Sequence, residues 1–131
     1  MATLCAITFA LPAAAQTLIS PDQFLDMAVG KTLTFYHYQT GAFVGVEQFL
    51  NRSLTVWQEG EDTCVYGQIS VPDGQICFLY DNDDSGVPVC WWPFLHDDRL
   101  MVRLAPFGQS EIQEVRSVTN ETISCPNAPI S

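Results

Sequence analysis

The stretch TCVYGQISVPDGQICFLYDNDDSGVPVCWWPFLHDDRLMVRL, from Thr63 to Leu104, decides the fold. It holds three groups of turn residues: Pro72-Asp73, the loop Asp81 to Gly86, and Asp97-Asp98. Pairing outward from each turn puts Val65, Ile69, Ile76, Phe78, Val87, Val89, Trp91, Leu95, Leu100, Val102 and Leu104 on one face of one sheet. Strand side chains alternate sides, so a one-residue slip in any hairpin would scatter that set. The pattern predicts a meandering antiparallel sheet with one buried face.

Working outward, further strands are expected over residues 31–38, 43–50 and 53–59, and after the stretch over 111–118. Inside it they are expected over 63–70, 75–80, 87–95 and 100–104. Thr40-Gly41 and Asn51-Arg52 suit tight hairpin turns. Eight strands in up-and-down order with no long crossover predict a small closed all-β barrel, which leaves no bare sheet edge. A two-layer β-sandwich is the alternative. A short helix is expected over residues 20–29, with Ser20 as cap, Pro21 in the first turn, Gln23 completing a capping box and Gly30 ending it. Residues 119–131 read as an irregular tail anchored by Cys125.

The 131 residues suffice for one domain and not two. Before it, the apolar run from Leu4 to Leu11, followed by Pro12-Ala13-Ala14-Ala15, reads as a secretory signal over residues 1–15, cleaved after Ala15. It departs from the usual form in having no Lys or Arg ahead of the run. Cys5 would leave with it. The expected mature chain, 16–131, is then a periplasmic or secreted domain with Cys64, Cys77, Cys90 and Cys125. Register chooses their pairing. Cys77 falls opposite Cys90, at the roughly 4.5–5.5 Å that cross-strand pairing sets. Cys64 sits about four residues from the position opposite Cys77, or roughly 13 Å away at strand rise. Cys77–Cys90 and Cys64–Cys125 are therefore the expected bridges.

Carrying the register toward the N-terminus points Leu54, Val56 and Gln58 inward, then Phe43, Gly45, Glu47 and Phe49, then Thr34, Tyr36 and Tyr38. Tyr36 would cover Gly45. Leu33, Phe35, His37, Val44, Val46 and Trp57 would face outward. That outer set is unusually apolar, so either the helix covers it, a partner does, or inside and outside are exchanged in these strands. Glu47 is the sharpest candidate. A carboxylate among aromatic rings is costly unless paired or protonated. In a binding barrel it would fix a cationic or hydroxylated ligand among Tyr36, Glu47, Phe49, Phe78 and Trp91. Placed near the rim, it would instead bond a tyrosine or meet water.

Fifteen Asp and Glu against five Lys and Arg argue against nucleic acid, which needs a basic face. After the first 15 residues no stretch could span a bilayer. Asp81 to Gly86 matches the first half of a calcium loop, but position twelve is Trp92 rather than Glu, so no metal is expected. No nucleophile motif, zinc motif or glycine-rich nucleotide loop occurs. His37 and His96 fall on the outer face with no orienting carboxylate. Trp92 and Arg103 face each other across a hairpin and could form a cation–π pair. No cofactor and no catalytic residue is expected.

Gly30-Lys31-Thr32-Leu33-Thr34, Gly45-Val46-Glu47-Gln48-Phe49, Trp57, Cys64, Gly67, Ile76-Cys77-Phe78, Tyr80 and Cys90-Trp91 resemble a group of small exported alphaproteobacterial proteins. The resemblance spans residues 30–104 and brings no activity or site residue with it. In architecture the chain is also similar to periplasmic inhibitors of lysozyme and of secreted metalloproteases, though none of their inhibitory loops is matched. The expected function is non-enzymatic binding of a small amphiphilic or cell-envelope-derived ligand inside the barrel. The alternative is inhibition of a cationic hydrolase, a basic protein, through Glu59, Glu61, Asp62, Asp81, Asp83 and Asp84.

Overall fold

Among the described residues strand follows strand, with one α-helix before the barrel. The computed structural model describes residues 16–60, 63–106 and 111–125. The expected signal with Cys5, the acidic pair Glu61 and Asp62, and the tail after Cys125 lie outside them. In chain order the elements are β1 (Gln16–Leu18), α1 (Pro21–Ala28), β2 (Thr32–His37), β3 (Phe43–Phe49), β4 (Leu54–Gln58), β5 (Cys64–Ser70), β6 (Ile76–Tyr80), β7 (Val89–His96), β8 (Arg99–Leu104) and β9 (Ile112–Thr119). Strands β2 to β9 each pair antiparallel with the next, and β9 returns to pair with β2. The result is a closed eight-stranded up-and-down barrel. Strand β1 was not expected from sequence. It is three residues long, and it pairs with β7 at Phe94 to His96, past the point where β6 stops.

Turn chemistry sets the central registers. Asp97 and Asp98 both have positive φ, so a two-residue turn pairs His96 with Arg99 and Leu95 with Leu100. A short 3₁₀ turn spans Pro72–Gly74, with Asp73 left-handed. It pairs Ile69 with Phe78. That is two residues from a register centred on Pro72-Asp73, and an even shift keeps the same face inward. Ile69, Ile76, Phe78, Leu100 and Val102 are accordingly buried together, with Trp91 and Leu95 packed against them. Val87 is an exception. It is 65% exposed and lies before β7, because Pro88 has no N–H to offer the ladder.

The helix closes one end of the barrel. Ser20 and Gln23 form the capping box, and Phe24, Leu25 and Ala28 face the core. Phe24 meets Phe49 edge-on at 5.7 Å, and Phe49 meets Phe78 at 6.1 Å. Arg52, in the β3–β4 connection, reaches Asp22 and Asp26 of the helix at 2.9 Å each. These exposed pairs orient the helix more than they stabilise it. The helix therefore does not lie over the outer face of the early strands. In the up-and-down order, β2, β4, β6 and β8 end, and β3, β5, β7 and β9 begin, at the opposite end.

The tail is held at more than Cys125. After Thr119 it crosses the outside of β2, β3 and β4. Lys31 donates to Asn120, Thr32 to the Glu121 carbonyl, and Ile123 N–H to Gln48 Oε1. Gln58 Nε2 lies 3.5 Å from the Ser124 carbonyl, and Cys125 is bonded to Cys64. A second disulfide joins Cys77 to Cys90 across the β6–β7 pair. The bridges close 61 and 13 residues respectively. Loop-closure entropy makes them worth about 4 and about 3 kcal/mol. Urea unfolding of the double serine variants should show the larger loss for Cys64 and Cys125.

Candidate functional site

A one-residue difference in three connections determines which side chains enter the barrel. The β3–β4 connection is a three-residue loop, Asn51 to Ser53. Asn51 Oδ1 accepts from both the N–H and the hydroxyl of Ser53, at 2.8 and 3.0 Å. Phe49 therefore pairs with Thr55, and Glu47 with Trp57. Thr55 and Trp57 point inward while Leu54, Val56 and Gln58 point outward, the reverse of the sequence expectation. Next, Trp57 pairs with Val65. On the other side Leu33 pairs with Glu47 and Phe35 with Gly45, followed by a bulge between Phe35 and Tyr36. Leu33 and Phe35 therefore belong to the core, and Thr34 turns outward. Tyr36 also faces out, against Phe43 at 5.6 Å and beneath the Arg116 guanidinium at 4.5 Å.

The close packing over Gly45 comes from Trp57. A Cβ at Gly45 would lie 2.4 Å from the Trp57 ring and 2.9 Å from the Gln58 carbonyl. Gly67 does the same for Tyr80, whose ring would be 2.9 Å from an added Cβ. Each glycine leaves a bare patch of strand on which one aromatic ring can lie.

These rings surround Glu47. The residue is 3% exposed. The Thr55 hydroxyl donates to Oε1 at 2.8 Å, and the Tyr80 hydroxyl lies 2.9 and 3.1 Å from the two carboxyl oxygens. Burial raises the Glu47 pKa to about 8, against the opposing effect of the Thr55 and Tyr80 hydrogen bonds. Glu47 is thus mostly neutral at pH 7. Burial also raises the Tyr80 phenol, and the nearby Glu47 raises it further.

Glu47 borders a cavity of about 260 Å³. Its apolar wall includes Phe24, Phe35, Trp57, Phe78, Tyr80 and Trp91. Glu59, Glu111 and Gln113 bring polar atoms to the end away from the helix. Trp57 Nε1 donates to Glu59 at 3.0 Å, and Gln113 Nε2 donates to Glu111 at 3.1 Å. His37 Nδ1 is 3.7 Å from Glu111, on the Gln113 side of β2 and not on the outer face. Among the described residues the lining offers three carboxyl groups, a phenol and an amide as its polar side chains, besides the indole N–H groups.

Of the five residues that sequence brings forward as ligand contacts, Glu47, Phe78 and Trp91 line the cavity. Phe49 is fully buried behind Phe78, and Tyr36 is outside the barrel. Sequence reasoning missed Thr55, Trp57 and Tyr80. The available signal was the pair of strand glycines, which mark where rings lie close to the backbone. Elsewhere, Arg103 is opposite Trp92 in register, but its guanidinium sits over Phe94 at 5.5 Å. His96 does have partners, Asp97 at 3.6 Å and the Tyr38 hydroxyl at 3.3 Å. In the acidic loop, Asp83 accepts from Ser85 N–H at 2.9 Å, and Ser85 holds its carboxyl below the ordinary value. Among the described residues no three His, Cys, Asp or Glu converge as metal ligands, and no helix is long and apolar enough to cross a membrane. No family model matches the sequence, and no curated protein or solved structure matches it either.

Two measurements test this geometry. The unfolded Glu47 carboxyl ionises above about 4.5, whereas the folded one keeps its proton to about 8. Stability should therefore fall as pH rises through that window, by at most about 1.4 kcal/mol per unit. Urea midpoints should show this decline in the wild type and a flatter profile in Glu47→Gln. Gly45→Ala should cost about 1–3 kcal/mol, because Trp57 must move off the strand. A shifted tryptophan emission maximum would accompany the loss.

Proposed function

We propose that this is an exported, non-enzymatic binding protein that holds a small amphiphilic or cell-envelope-derived ligand inside its barrel. One observation carries the reading. Glu47 is a buried carboxyl group next to open volume and under aromatic walls. Burying an ionisable group strips it of water, so keeping one here costs the fold even with the Thr55 and Tyr80 hydrogen bonds in place. Retaining a perturbed acid at a cavity favours a role in recognition. The chamber is slightly below the usual range of roughly 300–1,000 Å³ for ligand pockets, which favours a single ring or short chain.

The acidic loops support a second reading. Glu59, Asp81, Asp83 and Asp84 belong to connections at the end opposite the helix, so a cationic hydrolase could meet them together. Native mass spectrometry of protein taken from its own periplasm separates the two. A co-purifying small molecule, with occupancy about tenfold lower in Glu47→Gln, is the expected result. A stoichiometric basic protein that dissociates steeply with salt would support the inhibitor instead.

A further inference from the structure

We infer that the ligand of the barrel is a small ammonium ion with an apolar body, its charged head seated against Glu47 and its body between Trp57, Phe78 and Trp91. This rests on the binding reading above and narrows it to one ligand class.

Every Asp, Glu, Lys or Arg that lines the chamber is an acid. Glu47 lies within it, and Glu59 and Glu111 border its outer end, turned there by Trp57 and Gln113. None of the five Lys and Arg residues lines it. Lys31 is bonded to Asn120 in the tail, and Arg52 to the helix. Arg99 and Arg116 flank Glu114 at 2.8 and 3.6 Å, and Arg103 lies over Phe94. A chain with few cations thus engages every one of them elsewhere. The walls suit a cation as well, because indole and phenyl faces attract positive charge most strongly where water is excluded. An anionic head would meet three carboxyl groups and no Lys or Arg. A neutral hydroxyl would gain nothing from the acidic mouth, whereas a cation is drawn through it.

The charge balance is simple. In the empty chamber Glu47 holds its proton at neutral pH. An entering R–NH₃⁺ keeps its own protons and takes the place of that one. The products are a carboxylate–ammonium pair and one H⁺ released to solvent. The titratable groups around the exchange are Tyr80 from β6, Glu59 after β4, and Glu111 beside His37 at the outer end. The remaining walls, from α1, β2, β7 and β8, contribute Phe24, Phe35, Val89, Trp91 and Val102, none of which titrates.

The test uses two probes with one skeleton, phenethylammonium and 2-phenylethanol, titrated into the intact protein at pH 7. Tryptophan emission reports entry, and calorimetry in buffers of differing ionisation enthalpy counts protons. The ammonium should bind at least about tenfold tighter than the alcohol. It should release about one proton. Glu47→Gln should bind the two alike and release none. Equal or tighter binding of the alcohol, without proton release, would overturn the ammonium inference and leave the binding barrel standing. If neither probe enters, both readings fall. Should Glu47→Gln not fold, the wild-type comparison of the two probes decides alone.

Discussion

The hydrogen bonds from Thr55 and Tyr80 to the Glu47 carboxyl group are the interactions on which the rest of the interior depends. A carboxyl group this deep must be bonded or it would open the barrel to water. Thr55 can serve only because a three-residue loop turns β4 by one position. Tyr80 can serve only because Gly67 leaves space for its ring. Trp57, next to Glu47 in the ladder, needs the same concession from Gly45. Loop length, two glycines and one acid are therefore coupled, and changing any of them alone would misplace the others.

The two ends of the barrel do different work. At the helix end Phe24, Leu25, Leu33, Phe49 and Ile76 pack densely and carry much of the stabilising burial. At the other end apolar packing thins into the chamber. The outer wall is organised separately. Tyr36, Glu114, Met101, Phe94 and Leu18 fall in register across β2, β9, β8, β7 and β1. Glu114, Met101 and Phe94 in that row are buried although they face away from the core. Arginines over this row satisfy Glu114 and shield the rings.

The barrel was legible in the hairpins from Thr63 to Leu104, because each of those turns displaces the register by nothing or by an even number. Strands β2 to β4 were harder to read. Asn51-Arg52 looks like a two-residue turn, yet Ser53 joins it to satisfy the Asn51 side chain. Such an odd shift exchanges the two faces of β4. A second odd shift, between β4 and β5, cancels the first at β3. Glu47 and Phe49 were therefore placed correctly and Trp57 was not. The bulge at Phe35 displaced Tyr36 in the same way. Bulges and odd loops are set by local hydrogen bonds that composition does not announce. The tail's path across β2 to β4 depends on single polar contacts and has no periodic signal at all.

The seam between β2 and β9 joins the first strand of the barrel to the last. Residues such as Leu33 and Val118 are neighbours in space but far apart along the chain. Sealing the cylinder must therefore await nearly the whole polypeptide, and the entropy of bringing such distant partners together is a feature of slow-folding topologies. Until Thr119 docks, β2 and β8 each expose an unsatisfied edge to any passing strand. A chain shortened before β9 would lose the enclosure itself, and with it the burial that raises the Glu47 pKa.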